Sequence, residues 1–120
     1  MQKDNDVTIM IVDDNKKMRD VIKDSLSEIP CDVIEYSNGR DAVEGYESFR
    51  PDWVLMDVMM EPISGITALT EIRRNYPDAK VIMVTNSVED SVSAASFKAG
   101  AFAFVKKESL FQIPELILHK

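Results

Sequence analysis

The chain has 120 residues, of which 45% are hydrophobic and 29% charged, and its formal net charge is −7. This length is close to the commonest size of a single domain, and the apolar fraction is too high for a disordered chain. Nucleic-acid binding depends mainly on Lys and Arg side chains that neutralise phosphates, so the acidic balance argues against direct nucleic-acid binding.

The chain also lacks the sequence features of a secreted or membrane-spanning protein. Its one cysteine, Cys31, has no partner for an internal disulfide, which fits a reducing compartment. The N-terminal apolar run at 7–12 is too short for a signal peptide or a membrane span. We therefore expect a cytoplasmic domain that does not bind a membrane.

Short apolar runs rich in β-branched residues alternate along the chain with stretches in which apolar residues recur at helical spacing. Strands that are apolar on both faces are typical of a parallel sheet covered by helices on both sides. The predicted strands are, in chain order, VTIMIV (7–12), CDVIEY (31–36), DWVLMD (52–57), KVIMVT (80–85) and AFAFV (101–105).

The stretches between these strands predict helices. The first has an apolar stripe over 18–29 and the second over 42–49. The third is expected to start after Ser64, a good N-cap residue, and the fourth covers 88–99 and ends at Gly100.

A fifth helix is expected to begin at Pro114, a residue that is favoured at the first helical position, and to run to the C-terminus. Five strands that alternate with five helices predict an α/β fold with a doubly wound parallel sheet. The crossovers between neighbouring parallel strands are expected to be right-handed.

Ligands of such sheets bind beyond the carboxyl ends of the strands. The polar residues at these ends are, in chain order, Asp13, Asp14, Asp57, Thr85, Lys106 and Lys107. Three neighbouring carboxylates repel one another, and Mg²⁺, which binds carboxylate oxygens and keeps several waters, relieves that repulsion. The sequence therefore predicts an Mg²⁺ site that can accept phosphate oxygens. Of the two lysines, Lys106 is expected to be the solvated one.

The sequence closely resembles the receiver domain of bacterial two-component response regulators, of the kind found in chemotaxis regulators. The resemblance rests on IVDDN (11–15), LMDVMM (55–60) with Gly65 after it, VT (84–85) and KAGAFAFVKK (98–107). It implies a (βα)5 flavodoxin-like fold with a five-stranded parallel sheet of order 2-1-3-4-5. The whole chain would then be one receiver domain, either acting alone or excised from a longer response regulator.

The resemblance also implies a role for the residues at the strand ends. Asp57 matches the phosphoacceptor, which takes a phosphoryl group from a sensor histidine kinase or a phosphotransfer protein. Asp13, Asp14 and Asp57 match the carboxylates that hold Mg²⁺, and the backbone carbonyl of Met59 matches the remaining protein ligand. Lys107 matches the lysine that pairs with a phosphoryl oxygen.

Further positions match the switch of the family. Thr85 matches the hydroxyl that bonds the phosphoryl group, and Phe104 matches the aromatic residue that fills the space it leaves. Together they are expected to alter the face formed by the fourth helix, fifth strand and fifth helix, where a homodimer could form. Met59, Asn86 and Ser87 match positions that tune the lifetime of the acyl phosphate. Because Met59 is apolar and cannot orient an attacking water, we expect slow self-dephosphorylation.

Simpler roles remain open for some of these residues. Asp13 and Asp14 could cap the first helix, although Asn15 is equally able to do so. Alternation along the fifth strand puts Phe102 and Phe104 on the same face, so both could belong to the core.

Two other functions compete with a phosphorylated switch. A pseudo-receiver would be an interaction module that is never phosphorylated, and Glu61 and Asn86, which depart from the family pattern, favour it. Phosphohydrolases of the haloacid dehalogenase type also use an aspartate nucleophile with Mg²⁺. They need a second aspartate two residues after the nucleophile, where this chain has Met59.

Overall fold

The computed structural model describes residues 7–86 and 89–118. The strands are β1 (Val7–Val12), β2 (Cys31–Tyr36), β3 (Trp53–Asp57), β4 (Val81–Thr85) and β5 (Ala103–Lys106). The helices are α1 (Lys16–Ser25), α2 (Gly39–Phe49), α3 (Gly65–Asn75), α4 (Asp90–Lys98) and α5 (Gln112–Leu118), with a short 3-10 helix at Lys107–Ser109. All neighbouring strands are parallel and the sheet order is β2-β1-β3-β4-β5. The expected doubly wound, flavodoxin-like fold is confirmed.

The two faces of the sheet bury separate apolar clusters. Alternation along β3 turns Val54 and Met56 towards α2 and α3, while Trp53 and Leu55 face α1 and α5. Every residue of β3 and β4 is buried. The residues at the ends of these two strands are therefore held by a core on both sides.

The strand register brings the polar strand ends to one level. Val12 of β1 lies beside Met56 of β3, and Asp57 lies beside Val84 of β4. Asp13, the residue after Val12, therefore emerges at the same level as Asp57. The parallel sheet alone is enough to bring the two carboxylates together.

Two predicted helix boundaries are confirmed and two are wrong. The first helix, predicted to reach residue 29, ends at Ser25. Ser64 caps α3 by accepting a hydrogen bond from the backbone N–H of Thr67, and Gly100 follows α4 with a φ of 103°, in the left-handed region. Helix α5 begins at Gln112 rather than at Pro114. Proline is tolerated anywhere in the first turn, where backbone N–H groups have no partner within the helix. The predicted ends of the fourth and fifth helices at 88 and 119–120 lie outside the described residues.

The start of the fifth strand also differs from the prediction. The strand begins at Ala103, so Phe102 precedes it and does not follow its alternation. The Phe102 ring packs edge-on against Trp53, with 4.8 Å between ring centroids, whereas Phe104 packs against the opposite core cluster. The expectation that both rings share one face is therefore wrong.

Helix α4 is the least anchored of the helices. Its only buried residue is the polar Ser96, so among the described α-helices α4 alone buries no apolar side chain, and the Ser96 hydroxyl donates to the carbonyl of Val92 within the same helix. Among the described helices, none combines the length and the apolarity needed to cross a membrane.

We predict that Gly65→Ala lowers the free energy of unfolding by about 1–3 kcal/mol. The added Cβ would overlap the backbone carbonyl oxygen of Asp57, and this clash outweighs the better helix propensity of alanine. The control is Gly39→Ala at the start of α2, where the added carbon would meet side chains of Ile63 and Ala68 at 3.0 and 3.1 Å. Urea unfolding of both variants tests this. A loss at Gly65 no larger than that at Gly39 would contradict it.

Candidate functional site

Three carboxylates meet at the carboxyl edge of the sheet. Asp13 and Asp14 follow β1, and Asp57 is the last residue of β3. One carboxylate oxygen of each residue lies within 4.8 Å of the others. Asp13 and Asp57 are buried and Asp14 is exposed. The structure thus brings together the three acids that the sequence analysis singled out.

Lys107 supplies the positive charge that faces these acids. Its Nζ lies 3.1 Å from Asp13 Oδ2 and 3.5 Å from Asp57 Oδ1. Lys107 is the first residue of the 3-10 helix after β5, and its side chain is largely buried, whereas Lys106 is exposed as expected. One ammonium group therefore forms ion pairs with two buried carboxylates, and the site keeps an excess of negative charge.

Hydrogen bonds compensate only part of the negative charge of the buried carboxylates. Asp13 Oδ1 accepts a 2.9 Å bond from the backbone N–H of Asn15, and Asp57 Oδ1 accepts a longer, 3.4 Å bond from the backbone N–H of Met59. Asp13 Oδ2 is buried and, apart from its ion pair with Lys107, has no hydrogen-bond partner among the described residues. A hard cation fits an oxygen-only donor set of this kind.

The surroundings of Asp57 favour its protonated form. Burial is the largest cause, and together with repulsion from Asp13 it raises the pKa of Asp57 from 3.8 to about 6, while the Lys107 ammonium and the Met59 N–H act in the opposite direction. A second cation would favour the ionised form that a nucleophilic carboxylate needs.

An open cleft of about 400 Å³ lies over the carboxylates. Met18 and Val21 of α1 line one part of it, and Met59 and Asn86 line another. The Met59 side chain is 68% exposed. The cleft gives a ligand access to Asp57 from solvent.

Comparison with known proteins identifies the family. The family model for the response regulator receiver domain matches residues 9–118. The chain is 38% identical to the chemotaxis protein CheY of Thermotoga maritima and 41% identical to that of Bacillus subtilis, in each case over 82% of this chain and 83% of the relative. The chain belongs to the response regulator receiver family. Receiver domains are signalling domains of two-component systems rather than conventional enzymes.

A solved structure supports the same assignment. The two-component response regulator of the LuxR family from Aurantimonas sp. SI85-9A1 superposes with a TM-score of 0.85 at 28% identity, covering 95% of this chain and 86% of that one.

The structure describes three of the four remaining candidate site residues of this receiver domain. Thr85 ends β4 and is fully buried. Phe104 of β5 is half-buried and packs against the core cluster on the α2–α3 side of the sheet. Asn86 is exposed at the rim of the cleft. Ser87 lies outside the described residues.

Asn15 and not an aspartate caps the first helix. Its side-chain oxygen accepts a hydrogen bond from the backbone N–H of Met18. Asp13 and Asp14 are therefore not needed for capping, which leaves their carboxylates available to the site.

Sequence reasoning missed Arg19 of α1. Its guanidinium donates 2.7 Å to the backbone carbonyl of Asp13 and 3.0 Å to the carboxylate of Glu35 on β2. These bonds fasten the loop that carries the acids to the neighbouring strand. The available signal was a charged residue three positions before Ile22, on the apolar side of the helix.

We predict that Asp57→Asn raises the free energy of unfolding at pH 7 in metal-free buffer, by up to roughly 3 kcal/mol. A pKa that is higher in the folded state than the ordinary 3.8 means that ionised Asp57 opposes folding. This penalty is absent below about pH 4, develops as the pH rises towards 6 and is complete above it. The gain should therefore shrink on acidification.

Urea unfolding between pH 4 and pH 8 measures this dependence. The exposed Asp14 provides the control, since Asp14→Asn should give a smaller gain. A variant at Asp57 that is no more stable than the wild type at pH 7, or a gain that grows on acidification, would rule the account out.

Proposed function

We propose that Asp57 is the phosphoacceptor of this receiver domain and takes its phosphoryl group from a sensor histidine kinase or a phosphotransfer protein. The observation that carries the proposal is the buried carboxylate of Asp57, grouped with two further acids and with the Lys107 ammonium 3.5 Å away, under an open cleft. Phosphoryl transfer needs mainly alignment and charge neutralisation. The Lys107 ammonium beside Asp57 and a group of acids able to hold a cation support such a reaction here.

Asp13, Asp14 and Asp57, with the backbone carbonyl of Met59, are the residues that would hold Mg²⁺. When bound, the ion supplies positive charge for the oxygens of the transferred group. The Asp57 carboxylate forms the new O–P bond while the bond from phosphorus to the donor histidine nitrogen breaks. Lys107, already beside Asp57, is positioned to pair with a phosphoryl oxygen as negative charge builds up.

Phosphorylation would act on the fold through Thr85 and Phe104. The phosphoryl group adds negative charge and acceptor oxygens, which the Thr85 hydroxyl at the end of β4 can bond. Phe104 on the neighbouring strand can then repack, and α4, which buries no apolar side chain, is the helix that can adjust most easily. A local change of charge thereby becomes a change of surface.

The surface that would change carries exposed aromatic residues. Phe97 of α4, Phe102 before β5 and Phe111 before α5 are exposed and line an apolar groove of about 580 Å³ that Phe104 also borders. We infer that this α4–β5–α5 face contacts a protein, either a second copy of the chain or a downstream target. The domain itself is not expected to bind nucleic acid.

We predict that incubation with Mg²⁺ and acetyl phosphate adds one phosphoryl group to the protein, as measured by intact-mass spectrometry. The adduct should be absent in Asp57→Asn and in EDTA. Glu61→Gln removes an exposed carboxylate from the same loop and should leave the adduct intact, which makes it the matched control.

Labelling that persists in Asp57→Asn would place the phosphoryl group elsewhere. No adduct from acetyl phosphate or from a phosphorylated kinase, combined with no Mg²⁺ binding, would instead support the pseudo-receiver function. The position of Asn86 at the rim of the cleft is the observation that favours this second candidate.

We predict slow self-dephosphorylation, because the exposed Met59 side chain lines the cleft and offers no hydrogen bond to orient an attacking water. Met59→Asn should shorten the half-life of the phosphorylated protein several-fold, and Met59→Leu should leave it long. The decay of the intact-mass adduct after removal of the donor measures both. A wild-type half-life of a few seconds would refute this prediction.

A further inference from the structure

The methionines of this chain differ sharply in exposure. Of seven, Met1 lies outside the described residues. Met10, Met56, Met60 and Met83 are buried, and Met18 is half-buried. Met59 is the one methionine of the described residues that is exposed, at 68%. Oxidation of a thioether depends on access of the oxidant to sulfur, so Met59 should react well before the other described methionines.

Met59 also contacts the carboxylate of Asp57 through a backbone hydrogen bond. Its backbone N–H donates to Asp57 Oδ1 at 3.4 Å. Its side chain lines both the cleft over the acids and a neighbouring cleft of about 380 Å³ that is bordered by Glu61 and Val92. A change of polarity at this side chain therefore occurs at the entrance to the acidic cluster.

We propose that Met59 is a site of reversible oxidation by hydrogen peroxide, and that its sulfoxide shortens the lifetime of the phosphorylated state. A sulfur lone pair attacks one peroxide oxygen, so that an S–O bond forms and the O–O bond breaks. The proton on the transferred oxygen passes to the leaving hydroxide, which departs as water. Sulfur loses two electrons, peroxide gains them, and a methionine sulfoxide reductase reverses the change.

Oxidation to the sulfoxide would remove the apolar character by which the Met59 side chain is proposed to protect the acyl phosphate from water. A thioether is at best a weak hydrogen-bond acceptor, whereas the sulfoxide oxygen is polar and can hold a water beside Asp57. The expected result is dephosphorylation about fivefold faster or more, the rate equivalent of one ordinary hydrogen bond of about 1 kcal/mol. This second half of the inference depends on the proposed function, whereas the oxidation of Met59 does not.

Cys31 is the other candidate target of peroxide. It is half-buried, and burial is the main cause that raises the pKa of its thiol. A raised pKa lowers the fraction of the reactive thiolate. Cys31→Ser therefore serves as a variant in which any remaining effect of peroxide must come from methionine.

The first measurement is peptide mass spectrometry of the unphosphorylated protein during treatment with hydrogen peroxide. Among the described methionines, we expect the sulfoxide to form first at Met59, later at Met18 and last at the buried ones. Oxidation at Met59 that is no faster than at Met18 or Met60 would overturn the modification site, whatever the fate of the phosphoryl group.

The second measurement is the decay of the acetyl-phosphate adduct in protein oxidised at Met59, beside untreated protein and protein restored with methionine sulfoxide reductase. We expect faster decay after oxidation, recovery after reduction, no peroxide effect in Met59→Leu and the full effect in Cys31→Ser. An unchanged lifetime in the oxidised protein would overturn the coupling. If untreated protein forms no adduct with acetyl phosphate or with a phosphorylated kinase and binds no Mg²⁺, the proposed function fails and the coupling with it, while the peptide measurement still decides the modification.

Discussion

Two buried carboxylates share one ammonium group at the end of the sheet, and the rest of the molecule holds this unbalanced set of charges in place. Burying an ionised group without full compensation is costly, and the raised pKa of Asp57 expresses that cost. The paired strands β1 and β3, whose cores are buried, prevent the acids from separating, and Arg19 fastens the carbonyl of Asp13 to the neighbouring strand. An added cation at this site would therefore stabilise the folded protein.

The same imbalance explains how a small chemical change could act at a distance. In the proposed function, a phosphoryl group joins the site at Asp57 and redistributes its charge, and the firm core around the central strands leaves little room for movement there. The adjustment would fall on the weakly anchored α4 and on the half-buried Phe104 beside it. In the proposed function, the rigidity at the acids and the looseness at α4 would be complementary parts of one switch.

Topology made the acidic cluster predictable, while contacts between elements did not follow from sequence. The residues at the ends of parallel strands must share one edge, so a strand prediction was enough to group Asp13 with Asp57. The start of β5 was misplaced because the apolar Phe102 packs its ring against Trp53 instead of following the alternation of the strand. The contact between Arg19 and the carbonyl of Asp13 joins residues six apart through a side chain, a geometry that periodicity does not report.

The most direct test of this account is the dependence of the unfolding free energy on Mg²⁺, with ionic strength held constant by sodium chloride. The account predicts that the wild type gains stability as Mg²⁺ rises, by about 2.7 kcal/mol at a hundredfold excess over the dissociation constant. The gain should be much smaller in Asp57→Asn, in which one of the three carboxylates is missing. An unfolding free energy that is the same with and without millimolar Mg²⁺ would contradict the claim that this site carries an excess of negative charge that a cation relieves.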